Sequence, residues 1–159
     1  MPKEKRFNKD KFKQRIEEVL TNINLYSESA TNLLLGSCAQ ESLFGKYNVQ
    51  LGGGPALGPF QMEPATMRDL WENFLAYKNE LCKTIEDEYG FTDASNDLLQ
   101  HDIDYGIIMC RIYYLRVKEK LPDADDIEGL ARYWKKYYNT YKGKGKVEEF
   151  IKNYNRYVV

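Results

Sequence analysis

The chain is poor in the residues that most often carry metal, redox and nucleophilic chemistry. His101 is its one histidine, and no His or Cys stands at ligand spacing from it, so it reads as a structural or surface residue. Cys38, Cys82 and Cys110 are an odd count with no Cys-x-x-Cys spacing, which suggests neither a zinc site nor a complete disulfide framework. Reduced, partly buried thiols are the expectation. Net charge is also nearly absent: 23 basic residues face 24 acidic ones, and such a field gives no reason to expect nucleic acid as a partner. No stretch approaches the roughly 18 apolar residues of a membrane span, and the N-terminus is basic and polar through Arg15, without the apolar core of a signal peptide. The chain is therefore expected to be made in the cytoplasm without a signal peptide, with no membrane span and as a monomer.

What is present suits one helical domain over residues 1–159. A hydrophobic content of 43% in 159 residues is enough for one packed core. Phe12, Ile16, Val19, Leu20 and Ile23 form one helical face over 9–24. Ser27 or Ser29 can cap a second helix over about 30–43, apolar on most sides and carrying small residues at Gly36, Ser37 and Ala39, which marks it as the central buried helix. Gly52, Gly53, Gly54, Pro55 and Gly58 break the helical pattern and predict a loop or small hairpin. No Gly-Lys-Ser/Thr follows and no strand precedes, so a phosphate-binding loop is not indicated. Pro64 opens a helix expected to reach Glu80, with Met67, Leu70, Trp71, Phe74 and Leu75 inward. A polar connector with short helices over 81–97, a long helix over 102–120 stopped by Pro122, a helix capped by Asp125 or Asp126 with Trp134 on its core face, and a short amphipathic helix from Val147 complete the expectation.

The stretch that draws the rest together is Leu33-Leu34-Leu35-Gly36-Ser37-Cys38-Ala39-Gln40-Glu41-Ser42. Glu41 stands at the end of an apolar run and in the last turn of a helix. An apolar wall and the negative end of the helix dipole both oppose ionisation, so its pKa is expected to rise, and such a group can donate a proton near neutral pH. Of the 13 tyrosines, each is more readily explained by packing than by sugar contact, although a tyrosine offers a sugar both an apolar face and a hydroxyl.

Glu41-Ser42, then Gly58-Pro59-Phe60-Gln61-Met62 with Pro64-Ala65-Thr66, then Tyr138-Asn139 followed by Gly143 and Gly145, resemble the three motifs of the soluble lytic transglycosylase and goose-type lysozyme group. The resemblance spans about residues 30 to 155. Pro59-Phe60 departs from that group's Leu-Met, and two extra residues separate Asn139 from the glycines. It implies a mainly α, lysozyme-like fold with a small loop or hairpin after the catalytic helix, and peptidoglycan glycan strands as substrate, with no metal or organic cofactor needed. Glu41 would be the catalytic acid. Ser42, Phe60, Gln61, Met62, Tyr133, Tyr138 and Asn139 would form the substrate groove, with Ser42 serving local backbone geometry because no base is placed to activate it. Either Tyr138, from its place before the glycines, or Tyr133, from its place after Ala131, would be the aromatic partner of Glu41, and Tyr138 is preferred.

In the goose-type lysozymes of that group a second acid after the catalytic Glu can orient water, whereas lytic transglycosylases work with one carboxyl. No Asp or Glu lies between Glu41 and Gln61, which leans toward a transglycosylase over a muramidase. A noncatalytic glycan-binding or virion protein of the same fold is the alternative from another class, since fold alone does not establish activity. A wall-degrading enzyme without an export signal would reach its substrate as a phage endolysin or virion-associated protein.

Overall fold

The computed structural model describes residues 6–159, and among these the chain forms eight α-helices and no named strand. Helix α1 (Lys9–Asn22) is capped by Asn8, whose side chain accepts from the Lys11 N–H, and it buries Phe12, Ile16, Val19 and Leu20. Helix α2 (Glu28–Ser42) is capped by the Ser27 hydroxyl. It is buried on nearly every side from Leu33 to Ala39, and α1, α6, α7 and α8 pack around it. Small side chains make this possible: a Cβ at Gly36 would stand 2.3 Å from the Phe150 ring of α8. The Ser37 hydroxyl donates to the Leu33 carbonyl oxygen and pairs with the Tyr114 hydroxyl at 2.7 Å, so the polar groups of the buried helix are satisfied.

The chain leaves α2 through Leu43, Phe44 and Gly45, all in left-handed conformation, with φ of 49°, 62° and 88°. Two of these are not glycine, and each such residue costs about 1–2 kcal/mol in that region. The turn is held by the Gly45 N–H donating to Ser42 Oγ at 2.8 Å and by Phe44, which is buried between Phe12 and Tyr157. The glycine-rich stretch that follows is neither strand nor helix. It is a compact loop with two antiparallel bridges, Val49 to Leu57 and Leu57 to Met62. Gly58 is required there: its φ is +78° and a Cβ would stand 2.3 Å from the Leu99 carbonyl oxygen.

Helix α3 (Pro64–Asn73) is shorter than its periodicity predicts. Phe74 leaves the helical region and a 3₁₀ turn, Leu75–Tyr77, carries the fully buried Leu75 inward before α4 (Asn79–Tyr89) begins. The expected connector over 81–97 is thus mostly helix, α4 and then α5 (Asn96–His101). Helix α6 (Ile103–Leu115), capped by Asp102, ends five residues before the expected Lys120. Beyond it Arg116 donates to Asp69 of α3 at 2.6 Å and the Glu119 carbonyl accepts from Tyr133, contacts that hold 116–121 across the helices. Asp126 caps α7 (Ile127–Tyr133), which runs into a π-helical segment, Trp134–Asn139. Helix α8 (Val147–Tyr157) closes the domain over α2. No described helix is long and apolar enough to cross a membrane.

Candidate active site

The C-terminal end of α2 opens into a groove of about 890 Å³. Gln40 and Glu41 reach it from α2, Tyr47, residues 49–51 and Gln61 to Glu63 from the loop, Thr66 from α3, Tyr113 from α6, and residues 138–140 and 142–145 with Glu149 from further along the chain. Of the residues expected at the site, Glu41, Gln61, Met62, Tyr138 and Asn139 line this groove together. Ser42, Phe60 and Tyr133 do not. Ser42 is fully buried and donates to the Cys38 carbonyl oxygen while accepting from Gly45, so it shapes the turn. Phe60 is buried against Phe12 and offers only its carbonyl oxygen, which accepts from the Tyr138 hydroxyl. Tyr133 is buried away from the groove and donates to the Glu119 carbonyl oxygen at 2.9 Å.

The side chain that binds Glu41 is neither tyrosine. Trp134, fully buried, donates its indole N–H to Glu41 Oε2 at 3.0 Å. Among the described residues Glu41 has no second hydrogen bond, and no buried side-chain oxygen is left unsatisfied, so Oε1 has access to the groove. Burial of the carboxyl pushes its pKa up from 4.5 to about 7, and the indole donor works against that rise by favouring the carboxylate. The result is a group close to half-protonated at neutral pH. It faces the groove together with Tyr138, whose own pKa is raised by burial and which therefore stays neutral.

Trp134 was legible as a core residue but not as a partner of Glu41. Helical periodicity assigns a face and says nothing about where the polar edge of an indole points. The available signal was chemical: a buried Trp needs an acceptor for its N–H, and Trp134 lies four residues before Tyr138, in the segment expected near Glu41. The π-helical turn, a feature often met at functional sites, brings both residues to the same end of α2.

Gln61 adopts φ of 50° and its side-chain amide donates to the Gly58 carbonyl oxygen at 2.9 Å, which leaves its own carbonyl oxygen available at the groove. Two further carboxylates, Glu63 and Glu149, also line the groove, and both are exposed. Cys38 and Cys110 are free thiols buried beneath the site, Cys38 with its pKa pushed up to about 12 by burial, so neither is a thiolate at neutral pH. Among the described residues no three His, Cys, Asp or Glu side chains are grouped to hold a metal ion. Searches against protein-family models, curated proteins and solved structures found no match, so the reading of the site stands on its chemistry and on the motif resemblance.

Proposed function

We propose that this protein cleaves the β-1,4 bond between N-acetylmuramic acid and N-acetylglucosamine in peptidoglycan, as a lytic transglycosylase acting at the cell wall. The observation that carries the reading is a buried carboxyl poised near neutrality on the wall of a groove that residues of all three motifs line. Glu41, protonated, gives its proton to the glycosidic oxygen as the C1–O bond breaks. The N-acetyl group of the substrate stabilises the oxocarbenium-like centre. Glu41, now a carboxylate held by the Trp134 N–H, takes the proton of the muramoyl O6 hydroxyl while O6 bonds to C1. A 1,6-anhydro ring forms, no water is consumed, and the acid is regenerated.

Glu63 and Glu149 favour a second reading, hydrolysis of the same bond by a water that one of them orients. Mass spectrometry of fragments released from purified peptidoglycan separates the two. Anhydromuramoyl ends are expected from the wild type and not from Glu41→Gln. Reducing muramic ends would make the enzyme a muramidase. Absence of fragments from folded wild-type protein would leave a noncatalytic glycan-binding protein.

A further inference from the structure

Lys135 follows Trp134 in the π-helical segment and turns to the opposite task. Its ammonium donates to Asn139 Oδ1 at 2.6 Å, to the Gly143 carbonyl oxygen at 3.1 Å and to the Gly145 carbonyl oxygen at 2.6 Å. An ammonium has three N–H bonds, so these acceptors use all of them. The Lys135 carbonyl oxygen also accepts from the Thr140 N–H at 2.8 Å, which ties the same residue to the start of the loop. A segment whose composition reads as a solvated basic turn is thereby gathered around one half-buried donor.

Gly145, the last acceptor of that cage, lies against the indole. A Cβ there would stand 2.6 Å from Trp134 Cη2, and Phe150 packs on the same ring with 5.4 Å between centroids. The indole is thus seated by Phe150 and by the backbone that Lys135 fixes, and its N–H reaches Glu41.

We propose that Lys135 is a positioning residue for Glu41: its ammonium gathers loop 139–145 so that Gly145 seats the Trp134 indole against the carboxyl. Its importance for turnover rests on the reading of Glu41 as the reacting acid, but the coupling from lysine to carboxyl is a property of the protein alone and can be measured without substrate. Lys142 and Lys144 share the loop, are exposed at the groove and take no part in the cage.

The test uses the full chain and three variants, Lys135→Met, Lys135→Arg and Gly145→Ala. NMR follows solvent exchange of the Trp134 indole proton and titration of the Glu41 carboxyl carbon, and cleavage of purified peptidoglycan is followed over the same pH range. Lys135→Met is expected to speed indole exchange about tenfold, because the covering loop opens more often, and to move the Glu41 midpoint off about 7 by half a unit or more. Gly145→Ala keeps the lysine but puts a methyl group into the indole, and should give the same pair of changes. Lys135→Arg, which keeps the charge and part of the cage, should recover some of each. Folded Lys135→Met with wild-type exchange and midpoint overturns the proposal, and if that variant does not fold, wild-type behaviour of Gly145→Ala does so instead. Altered exchange and midpoint with no cleavage by any protein, the wild type included, would uphold the positioning role and remove the enzymatic reading.

Discussion

Two tryptophans in this protein make the same gesture with opposite consequences. Trp71 of α3 donates its indole N–H to the Tyr105 hydroxyl at 2.9 Å, and Trp134 donates to the Glu41 carboxyl at 3.0 Å. The Tyr105 oxygen also accepts from the Ser95 N–H, and its proton is shared between the Asp93 carbonyl oxygen and the Met67 sulfur. That junction is closed, and it knits α3, α6 and the 93–95 segment together. Among the described residues Glu41 takes one hydrogen bond, and it keeps an oxygen open to the groove. A saturated buried polar group fixes a fold, while an under-saturated one beside a groove retains a reason to react.

The largest expected effect tests that difference directly. Glu41→Gln should lower glycan cleavage by about a thousandfold, in the range for loss of a general acid, with the rate of fragment release as the measurement. It should also stabilise the protein above neutrality. The folded carboxyl binds its proton more tightly than the unfolded one, so between pH 4.5 and about 7 the wild type loses stability as pH rises, and above that window the loss is complete. A shift of that size corresponds to at most about 3 kcal/mol. Denaturant unfolding at pH 5 and pH 8 should therefore give a gain for the variant that is larger at the higher pH. Equal stability at both would mean that burial does not penalise the Glu41 charge.

Tyr105→Phe should behave in the reverse way. It orphans donors from Trp71 and Ser95 and should cost about 2 kcal/mol, read as a lower unfolding midpoint, while the pH profile of cleavage stays where it was. A shifted pH profile would erase the distinction between the two junctions.

Trp134→Phe sharpens it further. Removing the donor that favours the carboxylate should raise the Glu41 pKa, and the alkaline fall of kcat/KM, expected near pH 7 in the wild type, should move upward. The same substitution withdraws support from the carboxylate that proton donation leaves behind, so kcat below that limb should fall about tenfold. Trp71→Phe should do neither. The smallest effect is expected at Leu43→Gly, which relieves a left-handed residue but gives up a half-buried side chain: a net gain of about 0.5 kcal/mol, seen in thermal unfolding, with cleavage unchanged.

The sequence speaks clearly where a single physical pattern dominates. Periodicity of apolar residues locates α1, α2, α6 and α8, and capping chemistry narrows two starts to Ser27 or Ser29 and to Asp125 or Asp126, of which the structure uses Ser27 and Asp126. Glu41 stood out because the motif pattern follows an acid at the end of an apolar run, and the raised pKa expected there agrees with its burial at the groove. The misreadings arise where long-range contacts decide. The α3 pattern continues through Leu75, but burying Leu75 requires a break at Phe74, so α4, one of the short helices expected beyond Glu80, begins already at Asn79, with Ile85 its one fully buried residue. Likewise Phe60 and Tyr133 carry motif positions yet spend their side chains on the core, and the choice of Trp134 over either tyrosine depends on a side-chain direction that no spacing encodes.

The hydrogen bond between Trp134 and Glu41 joins residues 93 positions apart, and α2 is covered by α8, from still later in the chain. During synthesis at about 5–20 residues per second, on the order of 5–20 seconds separate the appearance of the acid from that of its donor. Through that interval α2 has emerged as a strongly apolar helix with neither its covering helix nor its indole. A chain that has made α2 but not yet Trp134 and α8 is thus a sticky polypeptide without the completed site, and those later segments are the ones that cover it.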